Sequence, residues 1–319
     1  MYAAVVRKLG EPPRCEEFPE PVASENEVIV HVHAASIKPV DKQIVAGAHY
    51  ATPSQLPFVC GMDGVGHLDD GQRVFFGGCR SPYGAMAQRT VVPKAFAFPV
   101  PAPLTDETAA AIANPGVSAW LTLTFRAKLA AGENVLILGA TGVTGRLAIT
   151  IAKLLGAARV VAAGRNQQSL HSLGQLGADA TVSLDLPEKE LQEAFVREGG
   201  GTGFQVVIDY VWGKPTEVLL SALTSKTFAA IGAETRLVQV GESAGPTISL
   251  PAAVLRSTAL TILGTAGIPG RDVLGNAFQQ VMAYASKGDL PIDTQRVPLT
   301  EVEEAWLREQ SGRRFVLIP

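Results

Sequence analysis

Residues Asn134–Ala157 read NVLILGATGVTGRLAITIAKLLGA. The apolar run Val135–Leu138 has the length of a buried strand. Gly139, Gly142 and Gly145 follow, then an alanine- and leucine-rich segment with helical spacing from about Val143 to Leu155. Glycines let a backbone turn sharply and approach a pyrophosphate without Cβ collisions. A helix that starts at once offers free N–H groups and the positive end of its dipole to phosphate. Strand, glycine loop and helix in this order open a dinucleotide-binding unit, and assign Gly139, Ala140, Thr141, Gly142, Val143 and Thr144 to the cofactor. The competing reading is a glycine-bearing connector that holds nothing.

The next strand, Arg159–Ala163, runs into Gly164-Arg165-Asn166. An NAD site places an acidic residue there, about 20 residues past the glycines, for the ribose 2′-hydroxyl. No Asp or Glu occurs from Asn134 to Ala178, and Arg165 stands where the carboxylate belongs. A guanidinium matches a 2′-phosphate, so NADPH is expected, with Gly164, Arg165 and Asn166 around the ribose. Otherwise Arg165 is a solvated residue at a strand end.

Beyond this unit, apolar runs and helical stretches alternate. Strands are expected at Ala180–Ser183, Gln205–Asp209, Leu237–Val240 and Leu260–Leu263, helices at Asp272–Lys287 and Thr300–Glu309, and a last strand at Arg314–Ile318. Alternation of this kind predicts a doubly wound parallel sheet. The chain before about Thr105 has a different grammar, rich in proline, glycine and short valine runs, and predicts a compact β-rich domain. In the strand Glu27–Ile37, Val28, Val30, Val32 and Ala34 share one face, which leaves His31 and His33 on the other, read as a solvated face rather than a metal site. The length of 319 residues fits two domains.

The net charge of −3 gives no reason to expect nucleic acid or an anionic membrane as a partner. Three scattered cysteines without a C-x-x-C pair exclude a four-cysteine zinc site and argue against a disulfide framework. The first residues lack an apolar leader and no run approaches a membrane span, so a cytoplasmic protein is expected. The stretch VCGMDGVGHLDDGQRV, Val59–Val74, holds Cys60, Met62, Asp63 and His67, all capable ligands in principle.

With these residues in view, the chain resembles the zinc-independent quinone oxidoreductases of the medium-chain dehydrogenase/reductase superfamily. The resemblance rests on Ala34–Tyr50, Gly61–Gly66, Asp70–Val74, Asn114–Trp120, the glycine loop, Leu176-Gly177-Ala178-Asp179, Asp209 with Trp212-Gly213, and Val240-Gly241. It implies a GroES-like catalytic domain, residues 1–118 and 266–319, with a Rossmann domain, residues 119–265, inserted and the active site in the cleft between them. It further implies that Val211, Trp212, Val240 and Gly241 line the cofactor, that Gly264 and Thr265 approach the nicotinamide, and that the protein is a homodimer paired through Ser257–Gly267. Zinc-dependent relatives carry Gly-His-Glu where this chain has Gly61-Met62-Asp63, and a cysteine near Lys38-Pro39. Methionine is a poor zinc ligand, so no metal is expected and Val59–Val74 reads as a turn and strand whose glycines allow close packing.

Without a metal, a small-molecule quinone or enone is the expected acceptor, since conjugation spreads the developing charge. Lys38 and Tyr50 are the candidates to polarise its oxygen. Lys38 stands where relatives often have asparagine, and either donates a charged hydrogen bond or fills a solvated loop position. Tyr50 contacts substrate or simply packs. Asp41 is expected to order its loop through backbone hydrogen bonds. Tyr210 and Lys214 mimic the spacing of the short-chain dehydrogenase pair, but Gly213 and Pro215 predict that no helix runs there to align them. An enoyl-thioester reductase and a non-catalytic NADPH-binding sensor are the competing functions.

Overall fold

A computed structural model describes residues 1–224, 234–265, 270–308 and 312–319. The expected helix end at Glu309 and the end of the expected pairing stretch, Ala266-Gly267, lie outside the described residues. The chain divides into two compact units, Met1–Asn114 with Phe278–Pro319, and Pro115–Ala277.

The second unit is a six-stranded parallel sheet. Its order is Ala180–Ser183, Arg159–Gly164, Asn134–Leu138, Val206–Asp209, Thr235–Gln239 and Leu260–Gly264. This is the doubly wound order in which the first strand lies inside and the chain reverses direction beside it. Val135, Leu136, Ile137 and Leu138 are all fully buried, as a central strand covered on both faces requires. Helices Val143–Leu154 and Glu188–Gly199 connect strands, each burying one apolar stripe.

In the first unit, the strand Glu27–Ser36 pairs with Asp63–His67, with Arg89–Pro93 and with the last strand, Arg313–Ile318, which brings the end of the chain back into this unit. Glycine is needed where the strands touch: a Cβ on Gly66 would lie 2.1 Å from His31 O. The close-packing reading of Val59–Val74 therefore holds for its strand. No helix among the described residues is long and apolar enough to cross a membrane.

One expectation is overturned. A helix does run through Lys214, from Gly213 to Leu223. Pro215 lies in its first turn, where a missing N–H costs nothing because no acceptor exists for it. Tyr210 and Lys214 still do not form an aligned pair, for a different reason. Tyr210 precedes the helix and its hydroxyl is buried, whereas Lys214 is exposed and paired with Glu188 at 3.1 Å.

Candidate functional site

The glycine loop begins where Asn134–Leu138 ends. The N–H groups of Gly139 and Ala140 both donate to Ala163 O at 2.9 Å, so the loop is tied to the neighbouring strand. Gly142 is the N-cap of Val143–Leu154 and supplies no side-chain cap, so the first N–H groups of that helix point outward without an internal acceptor from the cap. Gly145 packs so closely that a Cβ would stand 2.5 Å from Gly139 O. At Gly164 a Cβ would stand 2.6 Å from the Thr141 side chain. Both glycines are therefore required by the approach of loop, helix and second strand.

Arg165 is exposed and forms no ion pair among the described residues. The Asn166 side chain accepts the Ser169 N–H at 2.8 Å and caps the short helix Gln167–Ser172. The uncapped helix start and the unpaired guanidinium that follows the neighbouring strand offer donors of the kind a pyrophosphate and a 2′-phosphate accept.

At the next strand end, Asp209 is fully buried and organises the chain that follows. Its Oδ1 accepts the N–H groups of Val211 and Trp212 at 2.9 and 2.8 Å, and its Oδ2 accepts the Thr216 hydroxyl at 2.6 Å. Burial pushes its carboxyl above the usual range, against the pull of these hydrogen bonds. Its carbonyl accepts from Val240 and Gly241. Trp212 is held at φ 54°, ψ −161°, a region that is almost glycine's alone and costs about 1–3 kcal/mol. Gly264 is exposed with open space around its Cα, and Thr265 O accepts from Arg126 at 3.4 Å.

The first unit holds a buried charge cluster. Lys38 is 1% exposed, which removes the solvated-loop reading. Its ammonium donates to Ser36 O at 2.9 Å and lies 3.2 Å from Asp63 Oδ1 and 3.4 Å from Asp41 Oδ2. An ammonium has three donors, and three acceptors surround this one. Burial pushes Lys38 down, but the two carboxylates outweigh it and hold the group above the ordinary lysine range. Asp41 orders the loop as expected, accepting the N–H groups of Lys38 at 2.9 Å and Met62 at 3.2 Å. Asn114 donates to Asp63 Oδ2 at 3.1 Å. Arg314, 6% exposed, is brought down to about 10 by burial, with Asp41 and Asp63 opposing.

Tyr50, by contrast, is 96% exposed and touches only the tilted ring of His49 among the described aromatic rings, so it does not serve as core packing. Cys60, Met62 and Cys79 line an apolar cavity of about 190 Å³ together with Asp41, Phe58 and Tyr83. Among the described residues, no three histidine, cysteine or acidic side chains come together as a metal site. Sequence reasoning missed Asp63 as a partner of Lys38, and Arg314 as a second buried cation stabilised by Asp41 and Asp63. The available signal was an arginine directly before the apolar run Phe315–Ile318, in a strand whose residues Arg314 to Leu317 are all buried.

Comparison with known proteins places both units. Residues 24–102 match the alcohol dehydrogenase GroES-like domain and residues 143–286 the zinc-binding dehydrogenase family. A Rattus norvegicus protein named quinone oxidoreductase-like protein 2 is 28% identical, over 82% of this chain and 74% of its own. An Emericella nidulans protein named "Probable NADPH-dependent quinone reductase tdiC" is 26% identical over the whole of both chains. The quinone oxidoreductase of Thermus thermophilus, also solved in complex with NADPH, has 28% identity and a TM-score of 0.81 over the whole of both chains.

Proposed function

Because the chain belongs to the quinone oxidoreductase group of the medium-chain dehydrogenase/reductase superfamily, we propose that it is an NADPH-dependent, metal-independent reductase of quinones or α,β-unsaturated carbonyls. NADPH, when bound, supplies the hydride. The observation that carries the reading is the uncapped start of Val143–Leu154 beside the unpaired Arg165. The helix N–H groups hold the pyrophosphate and the guanidinium holds the 2′-phosphate. Asp209 fixes Val211 and Trp212, which with Val240 and Gly241 wall the cofactor, and Gly264-Thr265 leaves room for the nicotinamide.

Lys38 acts as a positioning residue. Hydrogen-bonded to Ser36 O and ion-paired with Asp41 and Asp63, it pins the start of helix Pro39–Val45 to the strand Asp63–His67. Metal independence rests on the same residue. Its ammonium stands among the positions where zinc-dependent relatives place ligands, so a divalent ion would have to displace a buried cation. The Tyr50 hydroxyl, free and exposed, is the group proposed to donate to the acceptor oxygen. The edge position of Leu260–Gly264 supports a homodimer.

Fluorescence titration tests the carrying observation. NADPH is expected to bind at least about tenfold more tightly than NADH, about 1.4 kcal/mol, which one charge-assisted contact supplies. Arg165→Ala is expected to weaken NADPH and leave NADH almost unchanged. Equal dissociation constants for both cofactors in the unaltered protein defeat the reading.

A further inference from the structure

Away from the residues assigned to the reduction, two imidazoles meet on a partly exposed face of the first unit's sheet. His33 Nε2 lies 3.3 Å from His67 Nδ1, and the ring centroids are 4.3 Å apart with planes tilted by 49°. The rings thus lie side by side rather than end to end. His33 Nδ1 faces Asp106 Oδ2 at 3.1 Å, and Asp106 Oδ1 accepts Arg73 Nε at 2.6 Å. His31, the cross-strand partner of His67, directs its Nε2 to Asp69 Oδ1 at 2.8 Å.

The Asp106 carboxylate favours the His33 tautomer protonated at Nδ1, which leaves a lone pair on Nε2. His67 presents Nδ1 as a free lone pair in the tautomer that carries its proton on Nε2. Two nitrogens bound to one tetrahedral ion at 2.0–2.1 Å stand about 3.3–3.4 Å apart, which is the separation found here.

We propose that His33 and His67 form a two-imidazole site for a late first-row divalent metal ion, with Asp106 as the outer carboxylate and water as the remaining ligands. Imidazole donors without an oxygen cage select zinc, nickel or copper over magnesium or calcium. The site would tie the strands Glu27–Ser36 and Asp63–His67 to the start of helix Asp106–Leu121.

Isothermal titration of the chelator-treated full chain with Zn²⁺ at about neutral pH tests this. One saturable equivalent is expected. His33→Asn, which keeps a donor for Asp106, and His67→Gln should each abolish it, Asp106→Asn should weaken it by about 10–100-fold, and His49→Asn should change nothing. Circular dichroism checks that each variant is folded. The Cu²⁺ electron paramagnetic resonance spectrum of the unaltered protein needs no variant, and should show coupling to two imidazole nitrogens. No saturable Zn²⁺ binding, binding that survives in both histidine variants, or a copper spectrum with fewer than two nitrogens overturns the proposal.

Discussion

Replacing Lys38 by methionine keeps most of the apolar stem and removes the ammonium, with its charge and its hydrogen bond to Ser36 O. The ammonium lies 3.2 Å from Asp63 and 3.4 Å from Asp41, all three groups being nearly inaccessible to water. At an effective dielectric of about 20, each attraction is worth about 5 kcal/mol before desolvation. Burying the lysine itself costs several kcal/mol, so the net loss on leaving the carboxylates uncompensated is about 3–5 kcal/mol. The loss depends on pH. Burial already holds Asp63 above the usual carboxylate range, and Lys38 is the largest opposing influence, so its removal raises Asp63 further. A carboxyl whose folded pKa lies above its unfolded value penalises the folded state fully above the folded pKa, and the penalty fades as pH falls through it. Urea unfolding of Lys38→Met against the unaltered protein should therefore show a gap that is widest near pH 8 and narrows toward about pH 4–5. Adding Asp63→Asn should recover about 1–3 kcal/mol, because the two residues are coupled. A Lys38→Met protein within about 1 kcal/mol of the original at pH 8 would refute the reasoning.

Three further outcomes are expected. Burial pushes the Cys60 thiol well up and the Cys79 thiol up to about 12, so at pH 8 roughly one Cys79 in 10⁴ is a thiolate and native protein should resist maleimide at both positions, as peptide mapping will show. Dialysis against a strong chelator should leave reductase activity intact, and activity lost on dialysis but restored by zinc counts against Lys38 as the internal cation. Light scattering should give twice the chain mass of 33.5 kDa, and Ile262→Pro should return the protein to that mass, since proline removes a ladder donor from the edge strand.

The nucleotide unit was legible in the sequence because its information is local. A buried run, three glycines and a helix are contiguous, and strand ends fall within about two residues of expectation. The charge cluster was not legible, because the burial of Lys38 depends on Asp63, Asn114 and the returning strand with Arg314, which only the tertiary fold brings near. For the same reason, His33 could be placed on an exposed face from alternation alone, but its partners His67 and Asp106 come from other elements. The helix through Lys214 was missed because Pro215 reads as a breaker unless the first helical position is already known.

The most direct measurement is steady-state NADPH oxidation by the purified chain, screened across simple quinones, enones and enoyl thioesters. The expected result is saturable, acceptor-dependent oxidation with a quinone or enone, little with enoyl thioesters, and a kcat/KM for NADH at least about tenfold lower than for NADPH. Tight NADPH binding with no acceptor-dependent oxidation by any quinone or enone would contradict the assignment as a reductase of this class.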